Sequence, residues 1–105
     1  MIKVNVYRND NNDIFRFNVE NHGTEIVCAA VSILVLNTAN AIEAFTEDKF
    51  FYEYNDEGGF FRITCPDIEL NKHSHDVNLL LNTLLLGLKG IEEQYSDSIS
   101  INDDF

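Results

Sequence analysis

At 105 residues the chain has room for one core and one domain, residues 1–105, since a chain of this size hides only about 65% of its extended surface on folding. Eighteen Asp and Glu against seven Lys and Arg give a formal charge of −11, which excludes a binder of nucleic acid or anionic membranes and favours a basic protein or peptide as partner. The apolar run from Ile26 to Leu36 is broken by Ser32 and is too short to span a bilayer, and the N-terminus lacks a signal peptide's apolar stretch, so a cytoplasmic protein is expected.

Ile2, Val4 and Val6 alternate with Lys3 and Asn5, as in a half-buried strand. Arg8 to Asp13 is a turn by composition, because Asn and Asp accept left-handed backbone and bond their own main chain. Alternation resumes at Phe15, Phe17 and Val19, so the two segments form a hairpin ending at Asn21-His22-Gly23. A helix is expected from Ile26 to Phe45. Its polar positions are few (Ser32, Asn37, Thr38, Asn40 and Glu43), and Ser32, Asn40 and Glu43 fall within about 80° of one another, which predicts a central helix covered on nearly all sides. Phe50 to Tyr54 and Phe60 to Cys65 predict a second hairpin around Asn55-Asp56-Glu57-Gly58-Gly59, and Pro66 stops its last strand. Asp67 to His75 reads as polar connection. Asp76 to Tyr95 is an amphipathic helix, capped by Ser74 or Asp76, with Val77, Leu80, Leu81, Leu84, Leu88, Ile91 and Tyr95 on one stripe. Ile99 and Ile101 predict a short final strand. The order β-β-α-β-β-α-β is a two-layer α+β domain on a mixed or antiparallel sheet.

Reactive residue types concentrate between the first hairpin and the long helix, at Asn21-His22-Gly23-Thr24-Glu25-Ile26-Val27-Cys28. A thiol in the first turn feels the positive end of the helix dipole, which favours the nucleophilic thiolate. An imidazole in reach would assist and could protonate a leaving amine. Gly23 lets the chain fold sharply enough to bring His22 back, and Ser32 lies one turn beyond Cys28 on the same face. The same residues also fit a small buried Cys, a solvated His and a helix hydroxyl bonding its own backbone. Cys65, beside Pro66, reads as core, and a disulfide between the two cysteines is not expected in the cytosol. His73 and His75, with Asp67 and Glu69 nearby, form a weaker candidate for zinc; their spacing shares a face only on a strand, so neither a metal nor any other cofactor is assigned.

The segment Glu25-Ile26-Val27-Cys28-Ala29-Ala30-Val31-Ser32 resembles the (D/E)IVCAAVS motif of the ribosomal-processing cysteine protease family Prp. Asn40-Ala41-Ile42, the hairpin Tyr52-Glu53-Tyr54-Asn55-Asp56-Glu57-Gly58-Gly59 and the stretch Leu79 to Ile101, with Ile91-Glu92-Glu93-Gln94-Tyr95, are also similar to that family, so the likeness covers essentially the whole chain. It implies an α+β fold, a homodimer and a Cys-His endopeptidase. The implied substrate is large-subunit ribosomal protein twenty-seven, from which an N-terminal extension ending in aromatic residues is removed. Carried over by position, Cys28 is the nucleophile, His22 the general base and acid, Ser32 the hydroxyl that follows, and Glu25 stands where the family has Asp. Two departures are visible: Asn21 replaces the Gly that normally precedes the His, and His22 directly abuts Gly23 where the family has a loop of several residues. The shortened loop leaves a second reading, a homodimeric binding module of the same fold with impaired catalysis.

Overall fold

A computed structural model describes residues 1–55 and 57–103. Strands β1 (Ile2–Arg8), β2 (Ile14–Glu20), β3 (Phe51–Tyr54), β4 (Phe60–Thr64) and β5 (Ile99–Asn102) form one sheet in the order β3-β4-β2-β1-β5. All neighbouring pairs are antiparallel except β5, which runs parallel to β1 and makes the sheet mixed. Helices α1 (Glu25–Phe45) and α3 (His75–Gln94) cover one face. The registers Val4↔Val19, Val6↔Phe17, Phe17↔Ile63 and Ile2↔Ile99 place the apolar residues of every second position on that face. They close into one core with Val27, Val31, Val35 and Ile42 of α1 and Val77, Leu81, Leu84 and Leu88 of α3. The α+β architecture follows from period-two strands meeting period-3.6 helices around that core.

Three expectations need correction. The segment after Pro66 is not all connection: Pro66–Glu69 forms a short helix, α2, with Cys65 at its N-cap. Proline suits that first position because its missing N–H would be unpaired there anyway. The long helix is not covered on nearly all sides. Ile26, Ile33 and Leu36 recur on an open face, with Ile33 67% exposed, and Leu79 and Leu86 do the same on α3. The apolar run is short, but the helix built around it is not: at 21 residues α1 is long and apolar enough, by length and composition, to cross a bilayer. Its opposite face is packed against the sheet as core. Asp56 of the second hairpin's turn and the last two residues lie outside the described residues.

The two ends of the sheet are built differently. At one end Asn9 folds its own turn through Oδ1, accepting from Asn11 N and Asp13 N, and its amide donates to Ile68 O of α2 at 2.7 Å. Asp48 accepts from both the backbone and the hydroxyl of Ser74, the N-cap whose Oγ accepts from Val77 N. That clamp ties the end of α1 to the start of α3. At the other end β2 runs out at Glu20, and the chain enters α1 beside the β3–β4 turn.

Candidate active site

The strand-to-helix junction is set by one backbone feature. Asn21 has φ +71, and its N–H donates to Gly59 O at 2.9 Å, one step past the last β2–β4 pair. Left-handed backbone is easiest for glycine and, after glycine, for Asn and Asp. Asn21 is thus among the few residue types that readily adopt the conformation that turns the chain out of the sheet. His22 and Gly23 follow, and a side chain on Gly23 would place its Cβ 3.0 Å from Ser98 O. The chain thus passes close against β5's approach before entering α1.

Cys28 is the fourth helical residue, half-buried, and its own N–H is already bonded to Thr24 O at 2.9 Å. Its Sγ lies 3.3 Å from Gly23 N, which donates to it, and 3.6 Å from Gly23 O, to which the thiol can donate. A backbone N–H aimed at sulfur stabilises negative charge there. Thr24 provides no side-chain cap, so the first-turn N–H groups of Glu25, Ile26 and Val27 are not satisfied from that side chain.

Cys28, His22 and Ser32 line one cavity of about 170 Å³. Its walls are Ile2, Val19, Val31 and Phe61, and Asn21, Gly58 and Gly59 complete its rim. The short connection between His22 and Gly23 thus leaves the imidazole on the same cavity as the thiol. No hydrogen bond joins the two among the described residues; the thiol's partners are both on Gly23. Glu25 is exposed in the first turn of α1 and is not part of the cavity wall.

The remaining candidates sit elsewhere. Cys65 is 1% exposed, and burial pushes its thiol up to about 12, with the carboxylates of Asp48 and Asp67 acting in the same direction. His73 faces Asp13, with Nε2 to Oδ2 at 3.6 Å, whereas His75 faces Asp76. Among the described residues no group of three or more His, Cys, Asp or Glu is arranged to hold a metal ion. In the sequence Gly58 and Gly59 are legible only as turn formers, and no local pattern marks the cavity walls. The strand alternation placed Val19 on one face with Phe15 and Phe17, but nothing local said that Val19 and Phe61 border a void.

The family model for cysteine protease Prp matches residues 1–100. The ribosomal processing cysteine protease Prp of Staphylococcus aureus (strain Mu50) is 32% identical over 108 aligned positions, covering 97% of this chain and 98% of the relative. That of Bacillus subtilis (strain 168) is 24% identical, covering 96% of each. Among solved structures, the essential ribosomal processing protease Prp from S. aureus, in complex with a covalently linked product peptide, superposes with a TM-score of 0.89 at 31% identity and covers 99% of this chain and 100% of that one. A Streptococcus mutans protein superposes at 0.84 with 26% identity, covering 98% of this chain and 93% of that one. With the match extending over nearly every residue and including the Cys28 segment, this chain belongs to the cysteine protease Prp family and is a cysteine-type peptidase.

Proposed function

We propose that the chain, as one peptidase domain, removes the N-terminal extension of large-subunit ribosomal protein twenty-seven in the cytoplasm, using Cys28 and His22. The observation that carries this reading is the shared cavity: thiol, imidazole and the Ser32 hydroxyl open onto one apolar-walled space at the start of α1. The Cys28 thiol gives its proton to the His22 imidazole, and the resulting thiolate attacks the scissile carbonyl carbon, whose π electrons move to oxygen. As they return, the C–N bond breaks and His22 delivers a proton to the departing amine, leaving a thioester on Cys28. Water then attacks the thioester, His22 takes its proton, and the sulfur leaves. The first-turn N–H groups of α1, which Thr24 leaves without a side-chain cap, are the donors available to the oxyanion, and one such donor typically contributes about 3 kcal/mol. Ser32 supports the same pocket with its hydroxyl, and Glu25 keeps negative charge at the helix start, where the dipole favours it. This chemistry calls for no cofactor and no metal.

The apolar walls suit an extension that ends in aromatic residues, because a ring buried beside the scissile bond leaves water without polar contacts. The net charge of −11 draws in a basic ribosomal protein and disfavours direct nucleic-acid contact. Homodimerisation is supported by the open apolar face of Ile26, Ile33 and Leu36 with Leu79 and Leu86. The Ile33→Glu, Leu86→Glu double variant should sediment as a monomer at concentrations where the parent chain is a dimer.

The decisive test is cleavage of a peptide spanning the extension. Cys28→Ala should lower the rate by about 10⁶-fold, the scale seen when a hydrolase loses its nucleophile, while Cys65→Ala keeps cleavage close to the parent's. Cleavage that survives Cys28→Ala defeats the proposal. A chain that binds the peptide but cuts nothing in either form is instead the impaired binding module.

A further inference from the structure

The turn between β3 and β4 does more than reverse the chain. Gly58 and Gly59 have nearly the same left-handed backbone, φ +80 and +81, but only one of them is pressed against the site. A Cβ on Gly59 would lie 2.7 Å from Nε2 of His22, 3.2 Å from Cε1 and 3.3 Å from Cδ2. On Gly58 the nearest approach would be 3.5 Å to Cε1, an ordinary van der Waals contact. The carbonyl of Gly59 also accepts the Asn21 N–H at 2.9 Å. One residue therefore fixes the backbone just before His22 and, by lacking a side chain, leaves the space that the imidazole fills.

We propose that Gly59 is a positioning residue for the His22 imidazole. The inference rests on the reading of His22 as base and acid, and it assigns to the second hairpin the support that a longer loop after His22 does not give in this chain. The ring is solvent-exposed on its outer side and lies against the turn at the mouth of the cavity. Any side chain at position 59 forces the Nε2 edge to move, whereas one at position 58 shares the backbone strain without that displacement. The pair of glycines thus contains its own control.

The experiment compares Gly59→Ala, Gly58→Ala and His22→Ala in the full chain, with peptide cleavage, thermal unfolding and the NMR signals of the His22 ring protons as readouts. Gly59→Ala should lower kcat by about 100-fold, the scale of a misplacement of roughly 1 Å, with KM nearly constant, and should shift the His22 signals and their pH titration. Gly58→Ala should lose stability to a similar degree but lose at least tenfold less kcat (about 1.4 kcal/mol per tenfold) and leave the His22 signals in place. In the unsubstituted protein the His22 ring protons should show cross-peaks to the Gly59 α-protons, a measurement that needs no variant to fold. Absent cross-peaks, or equal kcat losses in the two glycine variants, overturn the inference. An inactive His22→Ala chain beside a fully active Gly59→Ala chain overturns it alone. A His22→Ala chain that cleaves at the parent's rate overturns the reading of His22 itself and the catalytic part of the inference with it.

Discussion

Both cysteines sit where a strand gives way to a helix, and they have opposite surroundings. Cys28 is the fourth residue of a 21-residue helix, opens onto a cavity and receives a backbone N–H from Gly23. Cys65 caps a four-residue helix, is sealed in the core and lies near Asp48 and Asp67, whose charge opposes a thiolate. The end of the sheet holding Cys65 is closed by hydrogen bonds from the Asn9 and Arg8 side chains and by those that Asp48 accepts from Ser74; the end holding Cys28 has a cavity. A helix start alone does not make a reactive thiol. It takes an opening, donors directed at the sulfur, and carboxylates kept away from it.

The widest expected contrast is chemical. With its thiol at about 12, Cys65 is ionised to only about 10⁻⁴ at pH 8, so iodoacetamide should label Cys28 at least about 10³-fold faster, read by peptide mass spectrometry. Rapid labelling of Cys65 in the folded Cys28→Ala protein would break the comparison. At the open end, Asn21→Ala should cost about 1–2 kcal/mol of unfolding free energy because of its positive φ, while Asn21→Gly is nearly neutral. Equal costs in urea titrations would show that the left-handed turn is not what Asn21 contributes.

At the closed end the alkaline limb carries the signal. The folded chain holds the Cys65 proton more tightly than the unfolded chain does, so this contribution is complete below about 9 and is lost as pH rises toward about 12. The parent should therefore lose stability more steeply over that range than Cys65→Ala does. Smallest is the Arg8–Asp103 pair, joined at 2.8 and 2.9 Å. The hydrogen bond from Arg8 holds the Asp103 carboxyl below its ordinary value of 3.8. Its stabilisation is present above that value and is lost as pH falls below it. Asp103→Asn should cost less than about 1 kcal/mol at pH 7, since both groups are partly exposed, and nothing once acid has protonated the parent's carboxyl.

The site was legible to the extent that its residues were local. The segment from Glu25 to Ser32 is contiguous, so its motif and the helix spacing of Cys28 and Ser32 could be read directly. Asn21 was visible only as a departure from the family's Gly; its φ of +71 became apparent only in the fold. Gly59 could not be connected to His22 from the chain alone, because the contact crosses from one hairpin to the other.

The alternation of Val4, Val6, Phe17 and Val19, and the helical stripe of Val77, Leu81, Leu84 and Leu88, determined the strands, the helices and which faces turn inward. Those patterns depend on backbone periodicity, and periodicity is a local property. Tertiary packing alone decided that an apolar face of α1 stays open, that one cysteine faces a cavity and the other the core, and that a glycine in the second hairpin borders the imidazole. Such outcomes depend on what lies across a gap in space, and no pattern along the chain records it.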